Sequence, residues 1–312
     1  WIPSYLKLMR IAMRKVGMNV PAPVATLRLT LNPEGNDNLE PCFKFLANSQ
    51  ALRFLLIILP SSDTATYGRL KSMADRINGF HTVCVLREKF MNTSGQDRYF
   101  GNVAMKFNLK AGGINQVLDP FKMGIIKDGT TMVVGIDVTH PSPQSQSNAP
   151  SVAGVVASID GLLGQWPSIT RVQTGRTEMV ADLELMFKSR LTLWQKHNKV
   201  LPRNILVYRD GVSEGQYQLV LDEEIPQLRA ACRKLYPAKA LPAISFIIVG
   251  KRHHVRFYPT NTNDCDEKSN CKNGTIVDRG ITEVRFWDFY LQAHACLQGT
   301  ARSAHYYVIL DE

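Results

Sequence analysis

Two aspartates close two apolar, strand-like segments of this chain. Asp137 ends the segment 132–137 and Asp210 ends the segment 204–210. A carboxylate at the end of a buried strand is costly unless it is hydrogen-bonded, ion-paired or bound to a metal. Two such carboxylates on neighbouring strands would offer the hard oxygen ligands that Mg²⁺ and Mn²⁺ prefer. The pair therefore predicts a metal-dependent phosphodiester nuclease.

A third acidic residue, Glu178, follows the polar loop 173–177, from which its side chain could swing in as a further ligand. Glu178 also precedes a long helix with an apolar face, where an acid interacts favourably with the positive end of the helix dipole. From the residues alone, the helix-start interpretation is the stronger one for Glu178. For Asp137 with Asp210, the metal-binding interpretation is the stronger one.

The first third of the chain carries two pairs of residues at helical spacing. Tyr67 and Lys71 are four residues apart, as are Lys106 and Lys110, so each pair shares one helix face. Ammonium groups that converge from two helices would bind a terminal phosphate. Tyr67 would stack a base above it, and Thr82 would donate a hydroxyl hydrogen bond. The alternative, solvated lysines on amphipathic helices, is favoured by spacing alone.

A second basic cluster contains Lys251, Arg252 and His254 and directly follows a strand-like segment. A basic cluster at a strand end fits contact with a nucleic-acid backbone, whereas a solvated loop is the alternative. The polar turn 298–302, which ends at Arg302, is uninformative by itself.

The charge of the chain is unevenly distributed. The 312 residues have a net charge of +10, with 45% hydrophobic and 21% charged residues, as in an ordinary globular protein. Residues 1–120 hold 15 basic and 8 acidic residues (15 − 8 = +7), and residues 121–312 hold 22 and 19 (22 − 19 = +3). The basic first part could hold an anionic polymer, which the carboxylate-bearing second part would then process. The alternative is that the basic charge serves only to keep the protein soluble.

Cysteine usage indicates a reducing compartment, and we expect a cytoplasmic protein that is not bound to a membrane. Cys265 and Cys271 flank a polar loop, but a zinc site would need two further ligands, so we interpret them as loop cysteines. No apolar segment is long enough to cross a bilayer. The chain begins at Trp1 with neither an initiator Met nor a signal peptide, so we expect an excised fragment.

Hydrophobic patterns predict two α/β domains, 1–120 and 121–312. In the first, helix and strand signals alternate, which predicts a small Rossmann-like domain with a parallel sheet. The second has the order of a ribonuclease-H-like core, namely three strands, a helix, a strand, a helix and a strand. Its predicted segments are strands at 132–139, 152–159 and 169–172, a long helix from about 180, a strand at 204–210, a helix after 213–216, and strands at 243–249, 289–291 and 305–310.

Taken together, these segments resemble the C-terminal half of an Argonaute protein, its MID and PIWI domains, and most closely a fungal Argonaute of the quelling type. The segment 208–216, Tyr-Arg-Asp-Gly-Val-Ser-Glu-Gly-Gln, is highly specific for that family. The other matching segments follow in family order and are 135–141, 251–254, 274–278, 288–291 and 294–302. The first domain matches more loosely, through residues 59–60 and the Tyr67, Lys71, Lys106 and Lys110 positions.

The resemblance implies a guide-directed RNA-silencing protein. It places the 5′ phosphate and first base of a small guide RNA at Tyr67, Lys71, Lys106 and Lys110. It implies that a paired, complementary target RNA is cleaved to a 3′ hydroxyl and a 5′ phosphate with two Mg²⁺ or Mn²⁺ ions, and that silencing-complex proteins bind as partners.

The resemblance also implies roles for residues of the second domain. The family's first acidic ligand falls on Asp137, its mobile glutamate on Glu178 and its second aspartate on Asp210. The residues at guide-backbone positions are Lys251, Arg252, His254 and Arg302.

The sequence departs from the family at three places. Many relatives carry a Gln where residues 81–83 are His-Thr-Val, so Thr82 is expected to substitute for it. A family Ile-Thr-His-Pro segment reads Ile-Thr-Glu-Val at 281–284. The family's fourth catalytic residue would lie beyond Glu312, so we expect three catalytic carboxylates at most and no cleavage by this stretch alone.

Two alternatives to a cleaving enzyme remain open at this point. One is a guide-binding silencing module without cleavage activity, which acts through partners. The other is a different ribonuclease-H-like nuclease, such as a transposase relative, which would show no preference for a 5′ phosphate.

Overall fold

The computed structural model describes residues 2–30, 37–48, 52 and 54–312. The chain divides into two compact units, Trp1–Asn115 and Gln116–Glu312. The sequence pattern places the boundary between residues 120 and 121. Within the described residues, no helix combines the length and the apolar character needed to span a lipid bilayer.

The first unit is a two-stranded parallel sheet with helices on both faces. Its strands pair in register from Phe54↔His81 to Leu59↔Leu86. One face packs against residues of α1, α4 and α5, and the other against residues of α2, α3 and the π-helix that follows α3. The elements are α1 (Ile2–Lys15), α2 (Leu39–Ala47), β1 (Phe54–Leu59), α3 (Thr64–Lys71), a π-helix (Ser72–Asn78), β2 (His81–Leu86), α4 (Arg87–Met91) and α5 (Gln96–Lys110).

Local capping explains where α3 begins. The sequence pattern predicts a loop at 61–66 and a helix from Tyr67, but in the structure the side chain of Asp63 accepts hydrogen bonds from the backbone N–H groups of Ala65 and Thr66. This N-cap starts the helix at Thr64, three residues earlier than the apolar pattern predicts. The π-helix ends before Gly79, whose φ of +69° is a left-handed conformation that glycine adopts readily.

The second unit is a mixed eight-stranded sheet in the order β5-β4-β3-β6-β7-β10-β9-β8. The strands β3, β6 and β7 run parallel, and the remaining pairs are antiparallel. Its strands are β3 (Thr131–Thr139), β4 (Ser151–Ala157), β5 (Ser168–Gln173), β6 (Asn204–Asp210), β7 (Ala243–Gly250), β8 (Ile276–Val277), β9 (Trp287–Leu291) and β10 (Ala304–Asp311). Its helices are α6 (Leu183–Asn198), α7 (Tyr217–Leu219) and α8 (Ile225–Arg233), with a π-helix (Val220–Glu224) between the last two.

One face of the central strands forms the main core of the second unit. Alternate residues of β3, β6 and β7 are buried there and pack against apolar residues of α6 and α8. Trp194 of α6, 1% exposed, lies in this core. The α/β fold class is therefore confirmed, with a small parallel sheet followed by a ribonuclease-H-like mixed sheet. The short strand β8 and the helices α2 and α4 were not predicted from the sequence.

Candidate functional site

Asp137 and Asp210 lie at the carboxyl ends of two adjacent parallel strands. The last recorded pair between β3 and β6 is Ile136↔Arg209, so the next position in the same register sets Asp137 beside Asp210. Residues paired across a sheet project to the same face, which here is the face opposite the helices. The predicted adjacency of the two strands is thus confirmed.

A lysine from the neighbouring strand end interacts with both aspartates. Lys251 follows β7, and its Nζ lies 2.6 Å from Asp210 Oδ2. The hydrogen bond to Asp210, followed by the negative charges of Asp210 and Asp137, raises the pKa of Lys251 despite partial burial. A cationic group therefore neutralises the carboxylates at the position where a metal ion is expected.

Glu178 is held in place by two cationic or hydrogen-bonding partners. Its Oε1 accepts a hydrogen bond from Arg209 Nη1 at 2.8 Å, and its Oε2 lies 2.8 Å from His140 Nε2. Its side chain is only 12% exposed. Gly211 borders the same place, since a Cβ built there would be 3.0 Å from Glu178 Oε1 and 3.7 Å from Asp137 Oδ1. Glu178 is therefore located beside Asp137 rather than serving as a free acid at a helix start.

A buried ion pair anchors this arrangement from below the sheet. Arg209 and Glu224 are both fully buried, and two guanidinium nitrogens of Arg209 donate to the Glu224 carboxylate at 2.9 Å. Burial lowers the pKa of Arg209, but the hydrogen bonds and charges of Glu224 and Glu178 outweigh burial, so the net pKa is raised. The remaining donors of Arg209 bond the backbone carbonyls of Glu178 and Asp210.

Ser151 fixes both the loop before Glu178 and the ring of His140. Its Oγ accepts a hydrogen bond from the backbone N–H of Arg176 and lies 2.8 Å from His140 Nδ1. A carboxylate oxygen accepts, so His140 Nε2 donates to Glu178. The seryl hydroxyl can donate to Nδ1 or accept from it, so it fixes the position of the ring in either case.

Sequence reasoning assigned no role to His140, Ser151, Arg209 or Glu224. The available signal was Arg209, a charged residue at an inward position of an apolar strand, which requires a buried partner. The identity of that partner was not readable, since Glu224 is fifteen residues away in a π-helix.

The donor chemistry of this site suits Mg²⁺ or Mn²⁺, because it consists of carboxylates at adjacent strand ends. Across the ranges that the structure describes, no group of three or more His, Cys, Asp or Glu side chains is placed to hold a metal ion. In the structure, Asp210 is engaged by Lys251, and Glu178 is engaged by Arg209 and His140.

In the first unit, Lys71 and Lys110, two of the predicted phosphate-binding residues, converge on Thr82. Lys71 Nζ donates to the Thr82 hydroxyl at 2.7 Å, and Lys110 Nζ donates to the Thr82 carbonyl at 2.5 Å. Lys71 also forms an ion pair with Asp75 at 2.7 Å. Tyr67 is close enough to influence the pKa of Lys71 and is 45% exposed, which leaves its ring available for stacking.

The two lysines of this cluster differ in their electrostatics. Burial, followed by the charge of Lys71, lowers the pKa of Lys110. Burial also acts to lower the pKa of Lys71, but its hydrogen bond to Asp75 and the Asp75 charge raise it overall. Lys106 is exposed one helical turn before Lys110, and the described residues include no hydrogen-bond or ion-pair partner for it. The structure therefore brings Lys71, Thr82 and Lys110 together without Lys106.

The remaining predicted residues lie on an exposed part of the second unit. Arg252, His254 and Arg302 are all exposed. Burial is the main cause that lowers the pKa of His253, and Arg302 contributes to the shift, which places Arg302 near the segment 251–254. Lys251, by contrast, is engaged with Asp210.

A family model for the Piwi domain matches residues 54–312, and the chain belongs to that family. Its similarity to solved structures identifies it as a MID-PIWI lobe of the Argonaute type. The MID-PIWI domains of the QDE-2 Argonaute of N. crassa share 37% identity with this chain, cover 80% of it and 69% of their own chain, and have a TM-score of 0.68.

Two yeast structures match almost the whole chain. The C-terminal lobe of a budding yeast Argonaute is 28% identical, with 99% of this chain and 66% of that chain covered and a TM-score of 0.84. The Kluyveromyces polysporus Argonaute with a guide RNA is 28% identical, with a TM-score of 0.85 over 99% of this chain. The present chain spans 37% of that Argonaute.

Proposed function

We propose that this chain binds a small guide RNA by its 5′ phosphate and serves the cleavage of a complementary target RNA in gene silencing. The main support for this proposal is that Asp137 and Asp210 lie at the ends of adjacent strands, next to Glu178. We further propose that the protein acts in the cytoplasm, in keeping with its six cysteines, all free in the structure, and that silencing-complex proteins bind it.

The guide-binding part of the proposal is supported by the cluster around Thr82. Two ammonium groups lie close enough for the charge of Lys71 to lower the pKa of Lys110, and Asp75 offsets part of their charge. A phosphate would relieve this repulsion and accept hydrogen bonds from both lysines. The similar K. polysporus Argonaute carries a guide RNA, which supports small-RNA binding as the function of this chain.

The test compares RNAs that differ only in a 5′ phosphate or a 5′ hydroxyl. Each charge-assisted hydrogen bond contributes roughly 1.5–3 kcal/mol, so the double substitution Lys71→Ala with Lys110→Ala should weaken binding of the phosphorylated RNA by at least about a hundredfold. The exposed Lys89→Ala is the matched control, and Lys106→Ala tests whether the family position one turn away also contributes. Equal affinity of the unsubstituted chain for both RNAs would exclude a phosphate site and favour an unrelated ribonuclease-H-like nuclease.

For the cleavage part, we propose that Asp137 and Asp210 hold a divalent cation, Mg²⁺ or Mn²⁺. When bound, such a cation would activate a water molecule and stabilise the leaving 3′ oxygen. The role of the chain itself is to set the two carboxylates side by side and to keep Glu178 next to them through Arg209 and His140. Lys251 competes for Asp210, so it must release this carboxylate.

Mn²⁺ titration calorimetry on this chain tests the metal site directly. Asp137→Asn and Asp210→Asn should each weaken Mn²⁺ binding, whereas the exposed Asp182→Asn should not. Lys251→Met should strengthen Mn²⁺ binding, because it removes the competing charge. Unchanged Mn²⁺ affinity in both aspartate variants would refute the site.

Cleavage itself is measured with the protein at its natural length, loaded with a 5′-phosphorylated guide and given a complementary target. We expect products with a 3′ hydroxyl and a 5′ phosphate, lost in the Asp137→Ala and Asp210→Ala variants while guide binding persists. Guide binding without any cleavage by the unsubstituted protein would favour a silencing module that acts through partners.

A further inference from the structure

A pair of cysteines faces each other in a tight loop of the second unit. Cys265 and Cys271 form an isolated antiparallel bridge, and both are free thiols of intermediate burial. The backbone N–H of Asp266 donates to the carbonyl of Asn270 at 2.8 Å, just inside the pair. Asp266 Oδ1 also accepts from the N–H groups of Lys268 and Asn270, which fixes the turn between the two cysteines.

The position of this hydrogen bond defines the geometry of the pair. Because the bond joins the residues next to the cysteines, Cys265 and Cys271 form the closely spaced kind of antiparallel pair, with a Cα separation of about 4.5 Å. Disulfides span Cα separations of roughly 4.4–6.8 Å. The backbone therefore already holds the two Cα atoms at a separation that one disulfide can span, and the Cys265 thiol, which donates to the Asn261 carbonyl at 3.5 Å, must rotate to form it.

We propose that Cys265 and Cys271 are a thiol–disulfide exchange site that reacts with small-molecule disulfides. The thiolate of one cysteine attacks the external disulfide, forms a mixed disulfide and releases one small thiolate. The other cysteine thiolate then attacks the protein sulfur of that mixed disulfide, closes the Cys265–Cys271 bond and releases the second small thiolate. The two protons lost by the cysteines are taken up by the two released thiolates, so two cysteines are oxidised and one external disulfide is reduced.

The loop closed by this bond is connected to the turn that carries Arg302. Asn270 is 5% exposed, and its side-chain nitrogen donates to the carbonyl of Gly299 at 3.1 Å. Its side-chain oxygen accepts from the backbone N–H of Ala301 at 2.8 Å. Oxidation of the cysteine pair therefore restrains the residue that holds the 299–301 backbone. This consequence does not depend on RNA binding.

Burial, with a smaller contribution from Cys265, raises the pKa of the Cys271 thiol. The thiolate is the reactive form, so the exchange should accelerate as the pH rises from neutral. The intact chain is incubated with glutathione disulfide, quenched, digested with trypsin without reduction and analysed by mass spectrometry. Trypsin cleaves after Lys268, between the two cysteines, so peptides 257–268 and 269–272 stay joined only if the disulfide has formed.

We expect the joined peptides to form in the folded chain at a glutathione disulfide concentration at least about tenfold lower than in the urea-unfolded chain, because the folded turn raises the effective concentration of one thiol at the other. Cys265→Ser should leave only a glutathione adduct on Cys271, and the control Cys296→Ser should leave the joined peptides unchanged. Adducts without joined peptides in the unsubstituted chain, or equal oxidation of folded and unfolded chains, would overturn the proposal.

Hydrogen exchange of the Ala301 amide tests the connection to the neighbouring turn. Oxidation should slow this exchange relative to the reduced chain, and Asn270→Ala should abolish the difference. If exchange at Ala301 were the same in both redox states, the connection between the cysteine pair and the turn would be excluded.

Discussion

The buried Arg209–Glu224 ion pair gives the most quantitative prediction. The substitution Glu224→Gln keeps the shape of the side chain and the oxygen that accepts from the backbone N–H of Val180. It removes the negative charge opposite a guanidinium that is fully buried. Glu178 remains as the nearest anionic partner, at 2.8 Å.

The expected loss follows from the burial of both charges. Removal of one member of a buried ion pair costs roughly 3–5 kcal/mol, because the other charge stays desolvated. Since Glu178 still offsets part of the Arg209 charge, we expect the lower end, about 3 kcal/mol. With a urea m-value of about 2 kcal/mol per molar, the unfolding midpoint should fall by about 1.5 M.

Urea unfolding followed by tryptophan fluorescence measures this change, because Trp194 lies in the core of the same unit. The exposed neighbour substitution Glu223→Gln serves as the control and should change the free energy of unfolding by less than about 0.5 kcal/mol. The double substitution Arg209→Met with Glu224→Met should destabilise less than Glu224→Gln alone, since no charge is left buried. A midpoint for Glu224→Gln within the error of the control would refute the reasoning.

Three further predictions concern the surroundings of the site and the core. Gly211→Ala should lower the free energy of unfolding by about 1–2 kcal/mol, because the residue has a φ of +91° and its new methyl group would press on the Glu178 carboxylate. Urea unfolding measures this change, and Gly215→Ala is the unstrained control. Ser151→Ala should lower the free energy of unfolding by about 1–3 kcal/mol, since it leaves the backbone N–H of Arg176 and Nδ1 of His140 without this partner. The control substitution Ser168→Ala, at an exposed position, should lower it far less. Burial raises the pKa of Cys232 from 9.0 to about 12, so the protonated thiol stabilises the fold fully below about pH 9 and this contribution is lost as the pH rises towards 12. Iodoacetamide should accordingly leave Cys232 unmodified at pH 8 in the folded chain, and rapid native-state alkylation would contradict that burial.

Strand positions were predictable because their signals are strong and local. The apolar segment ending at Asp210 was predicted as 204–210 and has those bounds in the structure. The residue types at Ser213 and Gln216 predict a capping box, which the structure confirms. The helix after it is interrupted by a π-helix before α8 starts at Ile225. Pro226 predicts a kink or restart of this helix and lies at the start of α8, but no residue pattern indicates the π-helix before it.

The site was predictable only in part, because sequence spacing does not report which charges meet in space. The strands that end at Asp137 and Asp210 were predicted to be neighbours, and the structure confirms that β3 and β6 pair. The engagement of Lys251 with Asp210, rather than with solvent, depends on a third strand that ends at the same edge of the sheet. Such a contact between residues forty-one positions apart has no periodic signature in the sequence.

Arg209 and Asp210 are consecutive residues of β6. The arginine side chain points into the core, and the aspartate side chain lies on the opposite face of the sheet. A single insertion or deletion within the strand would exchange their sides, bury the acid and expel the guanidinium in one event. A change of length in this strand should therefore prevent both folding and formation of the site, whereas the loop at 141–150 offers a place where residues could be inserted or a probe attached.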